Sequence, residues 1–418
     1  MNYNEAQNFI NSFSRLGAAV TDLSRIEGLL EKLGNPQDKL RFVHIAGTNG
    51  KGSTVEYISA ALINAGYRTG QFTSPFVTHY ADRIRVNFNE IDDKSLCEIC
   101  GYVSEYTGDI KCSQFEITMC IALIYYVREN CDIVVLETGI GGLLDCTNVI
   151  KPPLVSVITS VSLDHTALLG NTIVQIASHK AGIIKQGSPV VLSADNDEEC
   201  VEVVRKKAYL CGSRLTQVSK ENIEVLKSDS YGNSFLYKGK PYVTSMSGVH
   251  QVFNAATAIE VCHILKEEGF NISDDDVSDA LKNTSVRARI QVIKGNPTVI
   301  LDGGHNASGT KALSEVLKKY RKSEIYAAIG MVNTKDYVTS AKNIASVCGY
   351  VCCVDGFADN CVKADVLCKT ISDIVKCEPS DYSKGIDNVK SLARENNAIA
   401  VICGSLYLAS KYLNEKNQ

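Results

Sequence analysis

From residue 42 onward, short apolar runs alternate with segments whose apolar positions recur at helical spacing. Phe42–Ala46, Ile133–Leu136, Leu154–Thr159 and Val190–Leu192 lead the clearest units. Such alternation predicts a mostly parallel sheet covered by helices on both faces, with ligand groups gathered at the carboxyl ends of its strands. A polar, turn-rich stretch, Lys227–Ser234, then precedes Phe235–Val243, which alternates and breaks as a peripheral β-hairpin. Helices over Asn254–Glu268 and Asp274–Asn283 close this first domain, and Arg287–Pro297 reads as a hinge. Beyond it the pattern restarts, with strands at Thr298–Leu301, Ile325–Ile329, Val351–Val354 and Ala398–Cys403 and a helix at Gly309–Tyr320.

The first strand runs straight into Gly47-Thr-Asn-Gly-Lys-Gly-Ser-Thr54. Gly47, Gly50 and Gly52 let the backbone bend tightly, so that its N–H groups and the start of a helix over Gly52–Ala65 face a triphosphate. Lys51 supplies a point charge, and Ser53 or Thr54 a hydroxyl near a magnesium ion. Only two residues separate Gly47 from the Gly50-Lys51 pair, where the usual loop has four. The expected fold class is therefore α/β, with a P-loop-containing, mostly parallel sheet domain over 1–290 followed by a smaller Rossmann-like α/β domain over 291–418.

Further candidates sit where strands should end. Glu137 closes an apolar strand in the manner of a magnesium-holding carboxylate beside a P-loop. Thr138–Gly142 is glycine-rich enough to suggest close approach of backbone to a ligand. Asp164 and His165 end the run from Val155, which favours a ligand-facing histidine. Lys180, in the apolar segment Ile176–Ile184, reads on residue type alone as a surface lysine laying its stem along apolar neighbours. In the second domain, Asp302-Gly-Gly-His-Asn306 offers a carboxylate for ribose hydroxyls and an imidazole, His305, for phosphates or reacting groups.

The 418 residues suffice for two cores, and a net charge of −4 supplies no basic footprint, so a nucleic-acid partner is not expected. No signal peptide or apolar run of transmembrane length is seen, which points to a cytoplasmic protein without a membrane role. The sixteen cysteines are dispersed, many in apolar runs such as Tyr350–Val354, and read as reduced core residues. Cys97 and Cys100 form a Cys-x-x-Cys pair with no second pair or histidine cluster to complete a zinc site.

Taken in order, the motifs resemble the folylpolyglutamate synthase and dihydrofolate synthase family, within the broader Mur-ligase-like group of ATP-dependent amide-forming enzymes. The resemblance runs from Leu33–Gln37 and His44–Ser53 through Thr73–Pro75, Asp82–Arg85, Phe115-Glu116, Glu137–Gly142 and Asp145–Asn148. It continues through Asp164–Thr166, His179–Ile183, Asn254–Ala256, Asp302–Asn306 and Gly404–Tyr407. It implies ATP held by Gly47, Thr48, Asn49, Gly50, Lys51, Gly52, Ser53 and Thr54, and magnesium sites involving Ser74, Glu137 and His165. Lys180 matches a lysine that in many relatives becomes a carbamate and helps bind a second metal; a monovalent cation is a further candidate. Asn254, Arg289 and Asp302 match adenine, phosphate and ribose positions in a nucleotide bridging both domains. Phe115, Glu116 and Asp145 match the region that meets the pterin-bearing substrate.

The implied reaction activates a folate or pteroate carboxylate as an acyl phosphate, which the amine of L-glutamate then attacks. Lys51, His165, Lys180 and His305 are the candidate catalytic residues. Lys51 with magnesium neutralises the transferring phosphoryl group, and His305 or Asp302 orients or deprotonates the amine. Closure about the hinge would keep water from the acyl phosphate, and a monomer suffices. The family's pattern is departed from at Ser24 in Asp22–Ile26, at Leu143 where arginine is common, at Arg287–Arg289 and at Gly304. Three alternatives remain: a nucleotide-dependent switch, a peptidoglycan-precursor ligase, and an ATP-binding paralogue without ligase activity. The 46 residues ahead of Gly47 fit a helical lead-in, not the carrier-binding domain of the peptidoglycan ligases.

Overall fold

Eight strands make the first sheet: β1 (Phe42–Ala46), β2 (Thr69–Phe72), β3 (Ile84–Val86), β4 (Asn89–Glu90), β5 (Ile133–Glu137), β6 (Val155–Ile158), β7 (Val190–Leu192) and β8 (Leu215–Gln217). These come from a computed structural model that describes residues 1–14, 22–108 and 110–416. The order is β4-β3-β2-β5-β1-β6-β7-β8. Strands β2, β5, β1, β6, β7 and β8 run parallel, and β3 and β4 turn back antiparallel at one edge. The expected mostly parallel sheet is present, with β1 flanked by β5 and β6 and buried along its whole length.

Apolar clusters cover this sheet. One packs Ile117, Ile121 and Ile124 of the helix Gln114–Arg128 with Phe72, Val134 and Leu136. Another packs Ile176 and Ala177 of the helix Ile173–Ala181 with Ala46, Ile158 and Leu192. Each such fully buried aliphatic side chain contributes roughly 1.5–3 kcal/mol. The helix Gln114–Arg128 begins where it does because Ser113 and Glu116 form a capping box that satisfies two otherwise unpaired N–H groups.

Residues 1–221 with 253–281 form one compact unit, and 222–252 with 282–418 form a second. The boundary drawn from sequence after residue 290 therefore falls inside the second unit. The hairpin expected as an appendage of the first domain also groups with the second. It is part of a three-stranded antiparallel sheet, β9 (Ile223–Asp229), β10 (Gly232–Tyr237) and β11 (Lys240–Thr244), in the order β11-β10-β9. Side chains explain the grouping: Tyr320 Oη donates to Ser230 Oγ at 2.7 Å, and Ser245 Oγ donates to the Thr284 carbonyl at 2.5 Å.

The main sheet of the second unit holds β12 (Gln291–Ile293), β13 (Val299–Leu301), β14 (Ile325–Ile329), β15 (Tyr350–Asp355), β16 (Cys377–Asp381) and β17 (Ile399–Cys403). Its order is β12-β13-β17-β14-β15-β16, parallel except for β12. The expected hinge Arg287–Pro297 thus contains a strand, β12, paired with β13. Among the described residues no helix is long and apolar enough to cross a membrane.

Candidate active site

At the carboxyl end of β1 the chain turns through Gly47–Gly50 into the helix Lys51–Asn64. Two glycines are required by their surroundings. A Cβ at Gly47 would lie 1.7 Å from Thr159 Oγ1, and Gly50 has φ +86° with its missing Cβ aimed 2.4 Å from Asn254 Oδ1. Thr159 Oγ1 donates to the Asn49 carbonyl at 2.8 Å, and Thr48 N–H donates to the Ser160 carbonyl at 2.7 Å. Thr48 Oγ1 donates to the Ser162 carbonyl and accepts from Ser162 N–H. The turn is thereby clamped against the segment after β6, and no side chain caps the helix it starts.

Two cations converge on this turn. Lys51 Nζ donates to the carbonyls of Gly47 (3.1 Å) and Thr48 (3.4 Å) and lies 3.8 Å from Glu137 Oε1. Lys180 Nζ donates to the same Gly47 carbonyl at 2.7 Å. Its residue type suggested a surface side chain, yet Lys180 is only 3% exposed. Burial, and then the charge of Lys51, pushes its ammonium down to about 7. Much of the population is then a neutral amine near physiological pH.

Glu137 ends β5, and its Oε2 accepts from Ser74 N–H at 3.2 Å. Buried Thr54 Oγ1 and Thr138 Oγ1 have no hydrogen-bond partner among the described residues. This oxygen-rich set fits a magnesium ion, which takes few carboxylates and completes its shell with water and phosphate. Among the described residues there is no cluster of three or more His, Cys, Asp or Glu suited to a metal. His165 lies beyond the end of β6, in a left-handed turn (φ +49°) that starts a short helix. Gly47, Thr48, Lys51, Gly139, Gly141, Asp164, His165 and Lys180 line one small cavity.

The expected substrate residues are buried and heavily engaged. Asp145 Oδ2 accepts from Gly139 and Ile140 N–H, both at 2.9 Å, and Oδ1 accepts from Thr147 N–H and Oγ1. Burial raises its carboxyl above the usual range, with these hydrogen bonds opposing. Because Thr147 Oγ1 spends its proton on Asp145, buried His44 Nε2, 2.9 Å away, must be the donor to it. Burial and Lys185 push the His44 imidazole down to about 3, so it is neutral. Phe115 occupies the space a Cβ on Gly139 would need. Glu116 Oε2 accepts from Ser113 N–H at 2.6 Å and Oε1 sits 3.5 Å from Arg25 Nε, which brings Asp22–Ile26 beside Phe115-Glu116. His44 and Thr147 lie within motifs quoted for the family resemblance but carry no assigned role there, and Thr159 reads from the sequence only as part of a strand.

In the second unit, buried Asp302 follows β13. Its Oδ2 accepts from Ile290 N–H at 2.9 Å and Oδ1 from Gly304 N–H at 2.8 Å. Burial raises its carboxyl, and Arg289 opposes the shift. His305 Nδ1 is 3.2 Å from the Gly303 carbonyl, which fixes the proton on that nitrogen. Asn306 caps the helix Ala307–Leu317 through Gly309 N–H.

The Mur ligase middle domain model matches residues 45–262, and the Mur ligase glutamate ligase domain model matches 288–406. The dihydrofolate synthase/folylpolyglutamate synthase of Bacillus subtilis is 32% identical, covering 98% of this chain and 97% of its own. This chain belongs to the folylpolyglutamate synthase and dihydrofolate synthase family of Mur ligases. The solved apo form of the Lacticaseibacillus casei folylpolyglutamate synthase superposes with a TM-score of 0.86 at 30% identity, covering all of both chains. A solved folylpolyglutamate synthase–AMPPCP complex gives 0.85 at the same identity and coverage. Membership removes the nucleotide-dependent switch as the functional reading. Leu143, one of the expected departures from the family pattern, is exposed, and its N–H donates to the His179 carbonyl at 2.7 Å.

Proposed function

We propose that this chain is an ATP-dependent ligase that joins L-glutamate to the carboxylate of a folate or pteroate. The observation that carries the reading is the convergence of Lys51, Lys180 and Glu137 on the clamped glycine turn at the end of β1. Backbone N–H groups of Gly47–Thr54 hold the ATP phosphates, and Lys51 leaves its carbonyl partners to meet the β/γ oxygens. Asn254, Arg289 and Asp302 take the adenine, phosphate and ribose roles that family resemblance gives them.

Glu137, Ser74 and His165 would hold magnesium, which neutralises charge on the phosphate oxygens when bound. The folate carboxylate attacks the γ-phosphorus, the bond to the bridging β–γ oxygen breaks, and ADP leaves. Glutamate's neutral amine then adds to the acyl carbonyl, and phosphate leaves with its bonding electrons. His305, with its Nδ1 proton committed to the Gly303 carbonyl, presents Nε2 as the acceptor for the amine proton. Phe115, Glu116 and Asp145 shape the pterin end; Asp145 does so by holding the Gly139 and Ile140 amides in place.

Lys180 is a candidate for carbamate formation, since the reaction with carbon dioxide needs the neutral amine. The amine nitrogen bonds to carbon as one C–O π bond opens onto oxygen, and its proton passes to solvent, which leaves an anion where the neutral amine stood. Depleting bicarbonate should lower the rate, and Lys180→Ala should be partly rescued by a short carboxylic acid; a rate indifferent to both would remove this role. The principal test is amide formation with ATP, magnesium and glutamate, supplying dihydropteroate in one arm and tetrahydrofolate in another. ATP turnover without a ligated product in either arm would sink the proposal.

A further inference from the structure

At the edge of the second unit's main sheet two half-buried thiols meet. Cys368 lies on the helix Ala364–Ile371, and Cys377 opens β16. Cys368 Sγ donates to Cys377 Sγ at 2.8 Å, and Cys377 Sγ donates to the Cys368 carbonyl at 3.4 Å. Twelve other cysteines are buried, whereas these two share partial exposure with Cys97 and Cys361. The pair is held from both sides of the intervening segment, because Leu367, Ile371 and Val375 all pack into the second unit's core. Ile374, Val375 and Lys376, from that segment, also line a cavity of about 450 Å³ with Lys322, Tyr326 and Gly349.

We propose that Cys368 and Cys377 are an oxidisable dithiol, where a peroxide produces a reversible intramolecular disulfide that ties this helix to the sheet edge. Approach is already made, so closing the bond requires only a small movement of two side chains. Burial, and then the hydrogen bond with Cys368, pushes the Cys377 thiol up to about 12, which suits Cys377 to the resolving step. Cys368 sulfur takes one peroxide oxygen and gives up its own proton; the O–O bond breaks, and the leaving oxygen takes that proton and departs as water or an alcohol, with a sulfenic acid on Cys368. Cys377 sulfur then displaces the hydroxyl, the S–S bond forms, and the Cys377 proton departs with that hydroxyl as water. The two sulfurs together give up two electrons, and the peroxide receives them. The site lies at the amino end of β16, whereas Asp302 follows the carboxyl end of β13, so this chemistry is separate from the ligase machinery of the same sheet.

The test uses the reduced full chain, exposed to one equivalent of hydrogen peroxide, alkylated, and mapped by mass spectrometry without reduction. The expected result is the loss of two hydrogen masses, located in a peptide pair joining Cys368 to Cys377 and reversed by dithiothreitol. Cys368→Ser and Cys377→Ser should each lack it. In parallel, phenylarsine oxide, which needs two adjacent thiols, should bind the wild type with one-to-one stoichiometry and protect both residues from alkylation. Recovery of Cys368 and Cys377 alkylated in the oxidised wild type, or a disulfide joining other cysteines, would overturn the proposal, as would arsenical binding that leaves both residues reactive.

Discussion

Two turns in this molecule are built alike and finished differently. In the first unit, β1 runs through Gly47–Gly50 into the helix Lys51–Asn64; in the second, β13 runs through Asp302–Asn306 into the helix Ala307–Leu317. The second helix is capped by Asn306, and Asp302 draws the Ile290 and Gly304 amides onto its carboxylate. The first has a glycine at its N-cap with no side-chain hydrogen bond, and lysines gather there. A helix start that no side chain caps suits an incoming anion, whereas one satisfied from within suits the exact placing of a carboxylate. The same strand–turn–helix topology thus serves opposite electrostatic ends.

The contrast can be broken most severely at Lys51. Lys51→Ala should lower kcat for ATP-dependent ligation by about 100- to 1000-fold, the usual cost of losing a group that stabilises transition-state charge. Circular dichroism should show an unchanged fold; retention of near-normal turnover would refute the phosphate role. Gly47→Ala should come next, because the added Cβ would collide with Thr159 Oγ1. Overpacking of this kind costs roughly 1–3 kcal/mol, so the melting temperature should fall together with ATP-analogue affinity. Asn306→Ala should cost about 1 kcal/mol of stability by removing a cap, measurable in urea unfolding.

The subtlest distinction is the sign of the pH dependence. His44, behind the first turn, has a folded value of about 3 against 6.5 unfolded, so the unfolded chain binds more protons between them. Its contribution to stability therefore falls as pH drops from 6.5 toward 3. Asp302 is shifted upward, so the native state holds its proton longer, and its contribution falls as pH rises above 3.8 through the folded value. Urea titrations of His44→Gln and Asp302→Asn across acid pH should change the slope of stability against pH in opposite directions. Parallel changes would contradict the assigned environments.

The strands that sequence reveals best are those buried on both faces and rich in valine and isoleucine, such as β1, β5 and β14. Thr69-Gly-Gln-Phe72 is equally buried but carries no such run; its place as β2 follows from pairing with β5, a long-range contact. β16 is hidden for the opposite reason, being polar and containing Pro379. The glycine turn and its lysine were legible because their chemistry is written in consecutive residues. Lys180 was legible only through the family resemblance, since residue type alone gave a surface side chain and only the fold shows that its ammonium is buried against a carbonyl distant in sequence. The side-chain series from His44 through Thr147 to Asp145 was invisible for the same reason, as its members lie on different elements.

Pro379 carries a consequence for the behaviour of the protein in concentrated solution. β16 is an outermost strand, and an approaching β-strand from another molecule would find a position without an N–H donor, between the exposed carboxylates of Glu378 and Asp381. That side of the sheet is a poor template for strand addition, and chain-to-chain growth through it is discouraged by both missing hydrogen bonds and like charge.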